Sequence, residues 1–368
     1  MKKAVLMILI GMLVVSSFIL ITSCSKKDDV ITIGAILPLT GPAASFGQSC
    51  EQGIQLALDE INSSGNKLNV IIDNSEASPT KAVSIAKKMI SIDNVPIILC
   101  LTTGETTALA PIADEKNFIL ITGTINPGAA DLGTNVFRNA SNLEQDAFKI
   151  MEYWIKNNIK KVSIIGLNLD AHISIQNLLV KEFPKNGGEI VLIENSFKGN
   201  TDFRTILQKI KNSQTEAVYI LGYQEIGYIL KQAYELGLKT KFFADPSMES
   251  DEVLSIAGKS AESVIYTRAA FNSESNDRII REFVNSFNKK YNRNPDVFAA
   301  QFYDNIMILN GILKQKIYTY NEIRNALLNI KNYPGVSGKT SFLPNGDVKK
   351  PIMLKTVKNG KFVIFNEQ

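Results

Sequence analysis

The sequence predicts an α/β protein of two doubly wound parallel-sheet lobes joined by a multi-stranded hinge. Three observations predict it. From residue 30 onward, short apolar runs alternate with amphipathic segments of helical period, the pattern of a parallel sheet covered on both faces. After a polar passage at 137–146 the same alternation begins again. Beyond residue 266 the chain crosses back, and further helical segments and turn-rich strands complete both lobes, so that several crossings form a hinge.

In the first half, 30–37 is a strand closed by Pro38, Thr40, Gly41 and Pro42. A helix follows from Gly47, with Ile54, Leu56, Ala57 and Ile61 on one face, and 68–72 returns as a strand. Ser78 and Pro79 open a second helix as cap and first residue. The stretch that organises this half is 95–115: an apolar strand at 95–99, a hydroxyl- and glycine-rich turn, then a helix carrying Leu109, Ile112 and Ala113 inward. Such a turn sets backbone N–H groups at the positive end of a helix dipole, beside the hydroxyls of Thr102, Thr103 and Thr106. That combination is a natural seat for a carboxylate, where open α/β sheets bind ligands, the alternative being that Thr102 or Thr103 only caps the helix. A fourth strand spans 118–122.

The second half reads as helix to Ile155, strand 162–166, helix 175–183, strand 189–195, helix 203–210, strand 217–221, helix 226–236 and strand 241–244. Long helices at 278–291 and 294–315, a shorter one at 320–330, and hairpin turns at Asn345-Gly346 and Asn359-Gly360 close the chain. Residues 30–142 with 272–344 are assigned to the first lobe, and 143–271 with 345–368 to the second.

The 368 residues suffice for two domains, and 45% hydrophobic with 21% charged content is that of a folded chain. Net charge is +4, two units of it from Lys2 and Lys3, which excludes a nucleic-acid footprint. Lys2 and Lys3, the apolar run 4–21 and the small residues before Cys24 resemble a bacterial lipoprotein signal with its lipobox, a retained membrane helix being the alternative. The resemblance implies cleavage after residue 23, lipid on Cys24, a polar tether at 24–29, and an exported chain anchored to a membrane. Cys50 and Cys100 read as separate buried thiols, with a disulfide as the alternative. A single histidine and no Cys-x-x-Cys pair leave no metal site to expect, and no cofactor is called for.

Several segments, in order, resemble one family. They are 33–42 (IGAILPLTGP) with Gly47, 57–62 (ALDEIN), Ala82-Val83, 108–115, Asn126-Pro127, Phe137-Arg138, and 230–233 (LKQA) with Gly237-Leu238. Behind the lipobox this sequence is similar to the type I periplasmic binding proteins of the leucine/isoleucine/valine-binding kind, the ligand receptors of branched-chain amino acid ABC transporters. The resemblance implies a two-lobed flytrap that closes on a small molecule and delivers it to a membrane permease, with no catalysis and as a monomer. It implies that Thr102 and Thr103 hold the ligand carboxylate, that Thr106 follows them, and that Thr124 serves the next binding loop. Phe46 and Phe298 match apolar walls, core packing being their alternative, and His172 stands in place of a family tyrosine. Asp245 is the nearest carboxylate for a ligand ammonium, with Glu225 and Glu249 behind it, and Tyr223 is placed to stack on or bond the ligand. The ligand class is therefore an amino acid or related small carboxylate.

Two other functional classes compete with this one. An enzyme would need His172 in a catalytic set, yet no Gly-x-Ser-x-Gly turn occurs. The string 335–340 (GVSGKT) lacks the upstream glycine of a P-loop and is read as a loop. A sensory or chemotaxis receptor with the same fold is the remaining alternative.

Overall fold

The structure, a computed structural model, describes residues 32–41, 43–65 and 68–366. Cys24, the signal segment and the tether lie outside the described residues. The first sheet has five parallel strands in the order β2-β1-β3-β4-β5. They are β1 (Thr32–Leu37), β2 (Asn69–Asn74), β3 (Ile97–Cys100), β4 (Ile119–Thr122) and β5 (Val136–Arg138). One face is covered by α2 (Pro79–Ser91) and α3 (Thr103–Lys116), through Ala82, Ala86, Met89, Leu109, Ala110 and Ala113. The other meets α1 (Ala44–Ser63), joined late in the chain by α9 (Arg278–Tyr291), α10 (Val297–Leu313) and α11 (Tyr320–Leu328). Strand order reverses between β1 and β3, so the turns after these two strands flank a crevice at the carboxyl edge.

The second sheet repeats the plan. Strands β6 (Lys161–Leu167), β7 (Glu189–Ser196), β8 (Ala217–Ile220), β9 (Lys241–Ala244) and β10 (Ile265–Ala269) run parallel in the order β7-β6-β8-β9-β10. Helices α4 (Leu143–Lys156) and α5 (Asp170–Glu182) cover one face, and α6 (Arg204–Lys211), α7 (Glu225–Glu235) and α8 (Asp251–Ala257) the other. Its switch point lies between β6 and β8, which aims the turns carrying His172 and Tyr223 at the crevice. The chain is thus two doubly wound lobes. Strands β14 (Ile352–Lys358) and β15 (Lys361–Ile364) extend the second sheet antiparallel to β10. A three-stranded antiparallel sheet, β11 (Tyr333–Gly335), β12 (Gly338–Phe342) and β13 (Val348–Lys349), sits on the first lobe, where Phe342 and Val348 join its core. The expected loop at 335–340 is therefore a hairpin, with Gly338 at φ +98° turning it.

Among the described residues, three segments cross between the lobes: β5 to α4, β10 to α9 and β13 to β14. They are bonded to one another. The Ala270 N–H donates to the Pro351 carbonyl at 3.0 Å and Gln145 Nε2 to the Val348 carbonyl at 2.7 Å. Lys350, in the third crossing, is buried and donates to Ser337 Oγ and Thr340 Oγ1 at 2.8 and 2.7 Å, with the buried Asp304 carboxylate behind Ser337. Burial pushes its ammonium down to about 8, against the pull of Asp304. Between that value and the ordinary lysine range the unfolded chain holds a proton that the folded chain lacks, so this group's contribution to stability rises with pH. Below about pH 8 the charged, buried form is a cost. Lys350→Met removes the cost, so its stability relative to the parent is expected to fall by roughly 2 kcal/mol from pH 7 to 9.5. Paired urea unfolding across that range checks it, because the buried cysteine and tyrosine titrations cancel in the difference. A constant difference would refute the assignment.

Cys50 and Cys100 are free and buried, as read, and burial raises both thiols. Among the described residues no helix is long and apolar enough to cross a membrane, and no group of three or more His, Cys, Asp or Glu is placed to hold a metal.

Candidate functional site

The threonine turn is built around a carboxylate of the chain itself. Thr102 is the N-cap of α3: its hydroxyl accepts from the Glu105 N–H at 3.3 Å, while Glu105 Oε2 accepts from the Thr102 N–H at 2.8 Å. Glu105 is fully buried, also accepts from the Leu101 N–H at 3.3 Å, and takes the Ser75 hydroxyl on its other oxygen. Two of the turn's donors are therefore spent internally. The N–H groups of Thr103 and Gly104 remain, unbonded among the described residues, at the mouth of the helix. Thr103 Oγ1 lies 2.8 Å from Thr124 Oγ1, so these two hydroxyls are brought together as a pair. Thr106 lies deeper. It is fully buried behind the turn, its hydroxyl donating to the Thr102 carbonyl at 2.8 Å or shared with Thr122 at 2.6 Å, and it positions the turn without lining its surface.

Two further first-lobe residues meet nearby. Phe46, half-exposed at the start of α1, and Phe298, at the start of α10, have ring centroids 5.0 Å apart. The core alternative for Phe46 is excluded by its 47% exposure.

On the second lobe, Tyr223 follows β8 and is 45% exposed, with Lys198 Nζ 4.9 Å over its ring. His172 lies 6.1 Å from that ring but is buried. Its Nδ1 accepts from the Leu167 N–H at 3.3 Å, and burial pushes the ring down to about 4 despite the opposing field of Glu225. The imidazole is thus neutral near pH 7. Its Nε2 is 4.0 Å from Asp245 Oδ2, beyond hydrogen-bond reach, so the two form no ion pair. Asp245 itself is turned inward: one oxygen accepts from Ser247 N–H at 2.7 Å and the other from Gly222 N–H at 3.0 Å. Burial raises it to about 6 although those bonds pull it down. Glu225 is likewise buried, accepting from Gly199 and Tyr223 N–H groups at 2.6 and 3.1 Å. In this structure His172 and Asp245 are therefore buried, each accepting from backbone N–H groups of the chain itself.

Between the lobes lies a cavity of about 330 Å³, a size suited to one small molecule. Phe46, Ile125 and Phe298 wall it from the first lobe; Tyr223, Ser247, Glu249 and Arg268 are among those facing them from the second. Thr124 precedes Ile125 in the chain, and neither it nor Thr102 or Thr103 is among the described residues that line the cavity. A larger cavity of about 750 Å³ opens among α1, α9 and α10 but is walled by the first lobe alone.

This geometry has known counterparts. The sequence profile of the family described as "Periplasmic binding protein" matches residues 30–361. The chain belongs to that family. It is of the type I, leucine/isoleucine/valine-binding kind, whose members bind solutes and are not enzymes. A Leu/Ile/Val-binding protein of Rhizobium johnstonii is 26% identical over 328 residues, covering 86% of this chain and 89% of its own. The branched-chain amino acid transporter substrate-binding protein LivJ of Streptococcus pneumoniae, solved in complex with isoleucine, is 26% identical at a TM-score of 0.74, covering 91% of this chain and 98% of its own. A solute-binding protein of an ABC transporter from Rhodopseudomonas palustris, solved with 3,4-dihydroxybenzoic acid, shares the fold at 24% identity and a TM-score of 0.73, covering 91% and 95%.

Three residues of the site escaped the sequence reading. Glu105 was visible in principle, since Thr102-x-x-Glu105 is a capping-box pattern. Ser75 and Arg268 carry no local signal; the sheets bring them in.

Proposed function

We propose that this chain is the extracytoplasmic solute-binding component of an ABC importer. It captures a small carboxylate-bearing ligand with an apolar body between its two lobes and hands it to a permease, anchored to the membrane through Cys24. The observation that carries this reading is the cavity shared by both lobes, aromatic on the first and charged on the second. The relatives support it: one is named for leucine, isoleucine and valine, and two solved neighbours hold isoleucine and an aromatic acid. All of these ligands carry a carboxylate.

In this reading the carboxylate meets the Thr103 and Gly104 N–H groups and the hydroxyls of Thr102, Thr103 and Thr124, each charge-assisted bond contributing about 1.5–3 kcal/mol. Phe46, Phe298 and Tyr223 enclose the apolar body, and closure about the three crossings removes water from both. The lobes in this reading are 30–142 with 272–344 and 143–271 with 345–368, except that Val348, ahead of the third crossing, packs with the first-lobe core. The test is a thermal-shift screen of amino acids, 2-oxo acids, aromatic acids, amides and sugars, in which acids raise the melt and sugars do not. Thr102→Val with Thr103→Val is expected to weaken the best acid by at least about tenfold, measured by calorimetry. Unchanged affinity for every acid would sink the assignment.

A further inference from the structure

We propose that Arg268 faces the ligand from the second lobe, and that the ligand presents to it an oxygen acceptor where an amino acid would present its ammonium. The ligand class is then a 2-oxo acid with an apolar body. This rests on the carboxylate reading of the threonine turn.

An ammonium needs an acceptor, preferably a carboxylate, on the cavity wall. Among the described residues of this lobe, Glu249 and Glu252 are the carboxylates that line the cavity, and the others nearby do not reach it. Asp245 and Glu225 are buried and bonded to backbone N–H groups. Asp146 is buried on α4, and burial pushes it up to about 7. Glu249 does line the cavity, but Lys355 Nζ donates to one oxygen at 2.7 Å and the Tyr266 hydroxyl to the other at 3.1 Å. Glu252 stands at the cavity rim in solvent, where pairing is weak.

Arg268 is differently placed. It lies near the carboxyl end of β10, lines the cavity and is 28% exposed at its side chain. Its Nε is 3.8 Å from Glu249 Oε2, and Nη1 donates to the Pro246 carbonyl at a long 3.5 Å. Glu249 thus lies between two cations, and the Lys355–Glu249–Arg268 group keeps one positive charge beside the cavity. A guanidinium there offers donors and repels an ammonium. An acid whose amine is replaced by a 2-oxo group meets it correctly, with Phe46, Phe298 and Tyr223 around its side chain.

The probes are matched pairs: leucine against 4-methyl-2-oxopentanoate, and phenylalanine against phenylpyruvate, titrated calorimetrically into the purified protein. The oxo acid of at least one pair is expected to bind about tenfold or more tighter than its amino acid. Arg268→Gln should lose that preference by weakening the oxo acid alone, and Arg268→Lys should retain part of it, which separates charge from misfolding. Tighter binding of the amino acids, or a preference untouched by Arg268→Gln, overturns the inference and leaves the carboxylate reading standing. Absence of binding by all four acids overturns both.

Discussion

Glu105→Ala is expected to destabilise the first lobe by about 3–5 kcal/mol and to weaken acid binding with it. The carboxylate it removes is fully buried and accepts from the Ser75 hydroxyl and the Leu101 and Thr102 N–H groups. Alanine leaves three donors without a partner, each at roughly 1–3 kcal/mol. It also opens a void beneath α3. Glu105→Gln keeps the shape and one acceptor oxygen, while its amide can donate to the Ser75 oxygen, so about a third of the loss is expected. Urea unfolding with a first-lobe probe should therefore rank parent, Gln, Ala. The ligand effect follows because the same bonds fix the Thr102–Thr103 turn, whose remaining N–H groups point outward only while that turn holds. An alanine variant as stable as the parent would show that the turn does not depend on Glu105.

The alternation of strands and helices was legible because each buried strand is a continuous apolar run and each helix has one apolar stripe. Where that logic weakens, boundaries moved. The strand expected from Val95 begins at Ile97, since Pro96 has no N–H to give to a ladder. Helix α1 begins at Ala44, before the expected Gly47, and α5 at Asp170, before Ile175, because their first turns carry no apolar stripe. The site was legible in part for the same reason. A turn rich in threonine announces a helix start, and Phe46 and Tyr223 stand out as aromatics next to Gly47 and Gly222. The inward turn of His172 and Asp245 was not legible. Whether a polar residue after a strand points to the crevice or into the lobe depends on which backbone N–H groups it meets in three dimensions, here that of Leu167 at the end of β6 for His172 and that of Gly222, 23 residues away, for Asp245. Arg268 follows the same rule in the opposite sense: a charged residue inside a strand looks local, and only the sheet order sets it against the crevice.

The apolar wall of the cavity depends on a glycine two turns away from it. Helices α1 and α10 cross at Gly53, where an added Cβ would lie 2.1 Å from the Ala299 carbonyl oxygen, far inside any real contact. Backbone cannot yield as a flexible side chain can, so Gly53→Ala must push the helices apart. The cost is expected at the upper end of overpacking, about 3 kcal/mol. The same displacement should reach the cavity, because α1 opens with Phe46 and α10 with Phe298, whose rings meet at 5.0 Å. Affinity for a ligand with a large apolar body should therefore fall along with stability. Gly311, exposed on the same α10 with no atom within 4 Å of its added Cβ, gives the contrast. There alanine removes only the entropic weakness of glycine in a helix, so Gly311→Ala should stabilise by roughly 0.5–1 kcal/mol and leave affinity alone. Unfolding midpoints and ligand titrations of the two variants, side by side, separate helix propensity from helix spacing. If Gly53→Ala matched Gly311→Ala in both measurements, the crossing would not be what holds Phe46 against Phe298.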